Sequence, residues 1–273
     1  MKKILIVSLT LAAAGWVSAQ IQPIAGSNEV GFSTVAAAAG DNQIITVPYV
    51  ACMAVDGAVA LADLVSINGL VSHASDPAAA DQLVVMVDVS GNLRYYYYWL
   101  QSEIGWTGID TEVKHPDGTT SVVTPPAASA FEVARGLGFW LKRVAGSANA
   151  VYVKGEVSTS NPSTAIAAGL NLVGYGSAAA LDLNAVSWTG AYGNSTSGNT
   201  AHSDKIIVIN ADGTMQNYYY FVCPAGWPPA YQDLSNKWID QNYAVASVPV
   251  PAGQGFWYLR RGTGSFNFQP DGN

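Results

Sequence analysis

The chain has 273 residues, a formal net charge of −7 and only 11% charged side chains beside 49% hydrophobic ones; ordinary domains carry roughly 25% charge. An acidic chain with so few cations repels phosphate backbones, which argues against nucleic acid as a partner. The surface must then be rich in Ala, Gly, Ser, Thr, Asn and Tyr, which cost little to desolvate. Such a surface suits self-association, contact with other surface proteins, or neutral glycans.

The first element is an address. Met1-Lys2-Lys3 is a basic start, Ile4 to Ala14 an apolar stretch, and Val17-Ser18-Ala19 a small-residue cleavage site, so residues 1–19 are expected to be a secretory signal peptide. The apolar stretch falls short of the roughly 20 residues that span a bilayer. Loss of Lys2 and Lys3 would move the net charge from −7 to −9. No second long apolar run follows. The expectation is therefore an exported protein of the extracellular space, cell surface or periplasm, with no integral membrane segment after cleavage.

From there Gly, Pro and β-branched residues punctuate short runs, and sustained helical periodicity is absent. Strands are predicted at Val30–Ala36 and Ile44–Tyr49, followed over Ala58–Val65 by a helical turn or an extra strand, the turn favoured. Leu83–Asp88 and Leu93–Leu100 read as a hairpin reversing at Ser90-Gly91, where glycine supplies the positive φ of a two-residue turn. The second of these strands carries Tyr95-Tyr96-Tyr97-Tyr98-Trp99, and Gly105-Trp106 follows. Strands at Gly138–Arg143 and Val151–Val157 complete this part, and the polar segment from Ser158 to Ser163 marks a boundary.

Beyond the boundary the pattern recurs. Strands are predicted at Leu170–Tyr175, Ile206–Asn210, Met215–Val222, Gly255–Arg260 and Phe266–Gln269, with a helical turn or an extra strand over Ala179–Val186, the turn favoured, and a two-residue reversal at Asp212-Gly213. Asp81-Gln82-Leu83 corresponds to Asp204-Lys205-Ile206, the tyrosine run to Tyr218-Tyr219-Tyr220-Phe221, and Gly105-Trp106 to Gly226-Trp227. Gly136-Leu137-Gly138-Phe139-Trp140 corresponds to Gly253-Gln254-Gly255-Phe256-Trp257. The order is kept, and the offset drifts only from 122 (213 − 91) to 117 (253 − 136). The expected fold is all-β: two tandem β-sandwich or partly open barrel domains, residues 20–157 and 158–273, related by internal duplication.

The motifs Gly169-Leu170-Asn171-Leu172-Val173, Asp204-Lys205-Ile206 and Gly253-Gln254-Gly255-Phe256-Trp257, in that order, resemble a tandem β-domain repeat of exported bacterial surface proteins. The first copy departs from it at its start, Gln43-Ile44-Ile45-Thr46-Val47, and keeps its close. The resemblance implies an all-β surface module and carries no catalytic motif.

Candidate chemistry centres on the aromatic residues. Neighbouring side chains on a strand face opposite ways, so Tyr95 and Tyr97 oppose Tyr96 and Tyr98, and Tyr218 and Tyr220 oppose Tyr219. One face meets the core and the other is free for a partner, since tyrosine offers large area, a polar tip and little rotamer entropy. Tyr95 to Tyr98, Tyr218 to Tyr220, Trp106 and Trp227 are the candidate binding residues. Trp106, Trp188 and Trp227 are placed at core edges. Cys52 and Cys223 form a candidate disulfide, which would have to cross between the two copies or between molecules; two free thiols are the other reading. His73, His115 and His202 lie apart and not at metal-ligand spacing, and His202-Ser203-Asp204 cannot build a relay from adjacent positions. The sequence thus points to a secreted, non-enzymatic structural or adhesive protein without metal or cofactor. A carbohydrate-binding module with Tyr and Trp platforms is the alternative.

Overall fold

A computed structural model describes residues 30–36, 40, 42–46, 58–64, 67–89, 92–134, 136–144, 150–156, 163–175, 180–210, 214–246 and 250–269. The expected signal segment, Cys52, both expected hairpin tips and most of the predicted boundary lie outside them. Strands dominate, with one short α-helix, Pro229–Gln232, among the described residues. No helix among them is long and apolar enough to cross a membrane.

Among the described residues the first half contains twelve strands. These are β1 (Val30–Ala36), β2 (Asn42–Thr46), β3 (Ala58–Ala60), β4 (Ile67–Asn68), β5 (Gln82–Val89) and β6 (Asn92–Gln101). They continue with β7 (Gly105–Ile109), β8 (Thr111–Lys114), β9 (Thr120–Val123), β10 (Glu132–Ala134), β11 (Gly138–Lys142) and β12 (Ala150–Glu156). The second half adds β13 (Thr164–Ile166), β14 (Gly169–Gly174), β15 (Lys205–Ile209) and β16 (Met215–Phe221). It closes with β17 (Lys237–Ile239), β18 (Gly255–Arg260) and β19 (Phe266–Phe268).

Each half is built on a five-stranded antiparallel sheet, ordered β2-β11-β5-β6-β7 in the first and β14-β18-β15-β16-β17 in the second. Position by position, the two orders match. In both, the strand that opens on Gly-Phe-Trp pairs on one side with an early strand and on the other with the first strand of the aromatic hairpin. No sheet closes into a barrel.

Two segments that read as either a helical turn or an extra strand contain both kinds of contact. Ala58–Val65 opens as strand β3, paired with β10, and then makes a 3-10 turn at Leu61–Asp63 that buries Leu61. Over Ala179–Val186, Leu181 exchanges backbone hydrogen bonds with Val250, at 2.8 and 2.7 Å, and Ala185 N–H then donates to the Asp182 carbonyl at 3.1 Å in a single turn. The hairpin reversals also differ. Val89 pairs with Asn92 in the first half, around two residues. In the second, Asn210 N–H donates to the Thr214 carbonyl at 2.8 Å, so three residues intervene.

The alternation of β6 decides what each sheet buries. Tyr98 is fully buried and its hydroxyl donates to the Pro126 carbonyl at 3.0 Å. With Leu83, Val85, Phe139 and Ile45 it packs against Val35, Ile67, Val151 and Val153, which come from the three-stranded sheet β1-β12-β4. The second core uses Val173, Ile206, Tyr218, Tyr220, Phe256 and Tyr258 against Ile166 and Phe268 of the two-stranded sheet β13-β19. A two-stranded cover is narrow, and Trp188 and Trp238 fill the remaining space.

The opposite faces of the two large sheets meet each other. Met86 and Trp140 of the first pack with Leu170, Leu172, Ile207, Ile209 and Trp257 of the second. Trp140 and Trp257, which occupy corresponding positions, touch edge to face with centroids 5.5 Å apart. Isolated bridges join Ile45 to Gln254 and Leu137 to Val173. Ile45 corresponds to Val173 and Leu137 to Gln254, so each bridge becomes the other when the halves are exchanged. That is the geometry of a two-fold, self-complementary contact. Gly138 permits the approach: a Cβ there would lie 3.0–3.1 Å from Leu172 Cγ and the backbone of Val173 and Gly174.

Burial also sets a pH limit. It pushes the Tyr98 phenol up to about 12, with Tyr96 adding to the effect. Tyr218, Tyr220 and Tyr258 are likewise raised above the usual 10, first by burial and then by a nearby aspartate. Folding favours the protonated phenol, so this stability is complete below the unfolded value of about 10 and is lost as pH rises through the folded values. Denaturant midpoints are expected to hold to about pH 9 and fall steeply by about pH 11. Ultraviolet phenolate titration should show Tyr98, Tyr218, Tyr220 and Tyr258 ionising only on unfolding. Equal midpoints at both pH values would contradict this assignment.

Candidate functional site

The face of the first five-stranded sheet that turns away from its own core is covered only in part. Strand pairing sets Trp140, Val84, Tyr97 and Ile109 on one rung, with Lys142, Gln82, Trp99 and Thr107 on the next. Tyr95 and Met86 stand on the rung the other side of Val84. The second sheet covers the Met86 and Trp140 end. Where that cover stops, Val84, Tyr95, Tyr97, Trp140 and Lys142 line a cleft of about 310 Å³. Val84 forms the floor on β5, with tyrosines from β6 on one wall and Trp140 and Lys142 from β11 on the other. Tyr95 is 39% exposed, Tyr97 and Trp140 are half-buried, and Lys142 is exposed. Among the described residues Lys142 has no carboxylate partner.

The corresponding positions in the second half are Ile207, Met215, Asn217, Trp257 and Leu259, read from the strand registers. One tyrosine becomes asparagine, the other methionine, and the lysine becomes leucine. Ile207 and Trp257 are packed into the contact between the sheets. The second half thus lacks the two tyrosines and the lysine that line the cleft.

Two buried ion pairs flank this architecture, one in each half. Asp81 and Arg143 pair at 2.9 Å with both side chains fully buried, and Asp204 and Arg260 at 2.6 Å. The accompanying bonds also correspond. Asp81 accepts from the backbone of Val71 and Val144, and Asp204 from that of Tyr192 and Arg261. Leu100 N–H donates to the Asp81 carbonyl and Tyr220 N–H to that of Asp204. Each carboxylate ties three segments together: the loop before the hairpin, the aromatic strand and the end of the Gly-Phe-Trp strand. Their chemistry is that of struts, since every oxygen is already engaged.

The sequence candidates divide by face. Tyr95 and Tyr97 line the cleft; Tyr96 leans on the first core and Tyr98 lies inside it. Tyr218 and Tyr220, 4% and 9% exposed, belong to the second core, while Tyr219 is half-buried on the other face. Tyr98, Tyr218 and Tyr220 are thereby corrected from contact residues to core residues, because burial leaves them no free ring face. Trp106 is buried in the first core as part of β7. Trp227 is half-buried in a surface cluster with Phe221, Tyr231 and Tyr243, its ring 5.2 Å from Tyr231. Cys223 is a half-buried free thiol 3.6 Å from the Pro224 carbonyl. Its proposed partner, Cys52, lies outside the described residues.

The histidines stay apart. His73 Nδ1 accepts from the backbone of Ser75 and Asp76, and His115 Nε2 meets Ser121 Oγ at 2.8 Å. Ser203 Oγ accepts from Asn194 N–H and Asp204 is held by Arg260, so neither addresses His202. Sequence reasoning missed Val84, Trp140 and Lys142. The strand period holds the signal: Trp140 and Lys142 are two apart on β11 and so share a face. Compared with known proteins, the chain matches no family model, no curated protein and no solved structure.

Proposed function

We propose that this is an exported, non-enzymatic adhesive protein of the cell surface or extracellular matrix. In this reading it consists of two copies of one β-sandwich unit, and the first copy holds the partner through its aromatic sheet face. The matching strand orders, the paired Asp–Arg struts and the exchange-related bridges support descent from a duplicated unit. One observation carries the functional part: Tyr95, Tyr97 and Trp140 line an open cleft, whereas the second half has Met215 and Asn217 in place of the tyrosines and its Trp257 packed against the first sheet. Aromatic rings with polar tips, left partly open, are the groups that bind best per unit of entropy lost. The concavity favours a glycan as the adhesive partner, since a flat sheet face would suit protein better.

Rebinding to washed cells and matrix of the producing organism tests the reading. The purified chain is expected to rebind saturably, and Tyr97→Ala to weaken rebinding by about tenfold or more, as for a central aromatic contact. Linear, non-saturable retention, identical for both chains, would count decisively against an adhesive role.

A further inference from the structure

The cleft also constrains the chemistry of what it holds, granted the glycan-directed adhesive reading above. We infer that it binds a sugar residue carrying a carboxylate, a uronic-acid type unit of an acidic polysaccharide, and that the site exists in the first half only. Its walls stand on the strands either side of β5, so they are roughly 10 Å apart at the backbone, twice the strand spacing. Side chains leaning in from both leave room for one flat ring. A volume of about 310 Å³ sits at the small end of ligand pockets, which run from about 300 to 1,000 Å³.

Three features select the ligand. Tyr95, Tyr97 and Trp140 offer ring faces to an apolar C–H face, while the phenols can exchange hydrogen bonds with hydroxyls. Lys142 places the cleft's one ammonium at its rim, and no carboxylate among the described residues neutralises it. In a chain of net charge −7 with 12 Lys and Arg in all, a cation in an aromatic cleft is a local exception to the surrounding field. A neutral sugar's hydroxyls could accept from that ammonium but would leave its charge uncompensated; a carboxylate on the ring compensates it. The second half provides the contrast. Its face carries Lys205 on the rung of Leu259 and Tyr219, with Asn217 in the place of Tyr97, and the neighbouring Trp257 and Ile207 are covered.

Titration calorimetry and tryptophan fluorescence on the full chain test the assignment, with galacturonic acid oligomers, the corresponding neutral galactose oligomers and a polyglutamate peptide as probes. The uronic oligomer is expected to bind saturably and to perturb tryptophan emission. Lys142→Met should weaken it about tenfold or more, the range of a lost charge-assisted bond. Tyr97→Leu should weaken it comparably, and Lys205→Met, which removes an equal charge from the second half, should leave it unchanged. Far-ultraviolet circular dichroism and the thermal midpoint show that each variant is folded. Equal binding of the neutral oligomer, indifferent to Lys142→Met, would overturn the acidic-sugar assignment and leave a glycan platform standing. Polyglutamate binding as tightly as the uronic oligomer, or an equal loss in Lys205→Met, would reduce the effect to bulk charge and overturn it. No saturable binding of either sugar would remove both the assignment and the glycan reading, while rebinding to cells would remain to be decided by its own assay.

Discussion

Asp204→Ala is expected to unfold the second half under conditions where the wild-type chain is stable. The carboxylate is fully buried and accepts five hydrogen bonds. They come from Tyr192 N–H at 2.9 Å, Tyr258 Oη at 2.7 Å, Arg260 Nη1 at 2.6 Å, Arg261 N–H at 2.6 Å and Gly262 N–H at 3.1 Å. Alanine removes all five at once and takes its carboxylate from the Arg260 guanidinium, which is only 8% exposed and keeps just the Thr263 and Gly264 carbonyls at 3.3 and 3.4 Å. Gly262 shows how closely that guanidinium is held, since a Cβ there would lie 2.7 Å from Arg260 Cζ. Breaking one side of a buried pair costs about 3–5 kcal/mol, against a total of about 5–15 kcal/mol for a typical protein. The loss is measurable as a fall in the denaturant midpoint. Removing the charge from both partners, as in Asp204→Ala with Arg260→Met, should recover part of it, because an apolar pair leaves no orphaned ion. A loss below about 1 kcal/mol in the single variant, the level of a surface pair, would mean that the strut is not structural.

Trp188→Ala is the second large effect, and it falls in a segment without regular secondary structure. Trp188 is 6% exposed and stacks on Phe268 at 4.4 Å between centroids and 10° between planes. It also meets Trp238 at 5.1 Å, Tyr258 at 5.9 Å and Phe256 at 6.4 Å, and its Nε1 donates to the Leu183 carbonyl at 2.7 Å. Truncation would open a cavity at the centre of the aromatic core, for which large-to-small changes cost about 3–5 kcal/mol. The two-stranded cover β13-β19 has little else to close over the gap. Trp188→Phe should recover much of the loss, since it keeps a ring and gives up mainly the bond to Leu183. Equilibrium unfolding followed by tryptophan emission reads both. If alanine and phenylalanine variants were equally stable, Trp188 would be an edge residue and the core assignment would fail.

Much of the architecture is legible in the residues. The hairpin strands, the closing Gly-Phe-Trp strands and the alternation of the tyrosine run all follow from the two-residue period of a strand and from glycine at reversals. The recurrence of Asp-Gln-Leu and Asp-Lys-Ile led to one β unit being expected twice; its strand order comes only from the pairings. Where the reading stayed open or erred, local pattern was insufficient. Ala58–Val65 and Ala179–Val186 are small and apolar, compatible with a turn or a strand, and the partners that settle them, Ala134 and Val250, lie far along the chain. Trp188 looked like an edge because no strand runs through it; its burial comes from the arrival of Phe268 eighty residues later.

The site shows the same division. The sequence by itself determines that Tyr95 and Tyr97 share a face opposite Tyr98, because backbone pleat alone dictates alternation. It does not determine which face is open. That is decided when Trp140 of one half meets Trp257 of the other, covering one end of the first sheet and, in its counterpart, Trp257, Ile207 and Ile209. Asp81 and Asp204 are visible as matching letters, yet only tertiary contact shows them buried against Arg143 and Arg260. Local geometry is encoded residue by residue, whereas burial is a property of what distant segments bring to the same place.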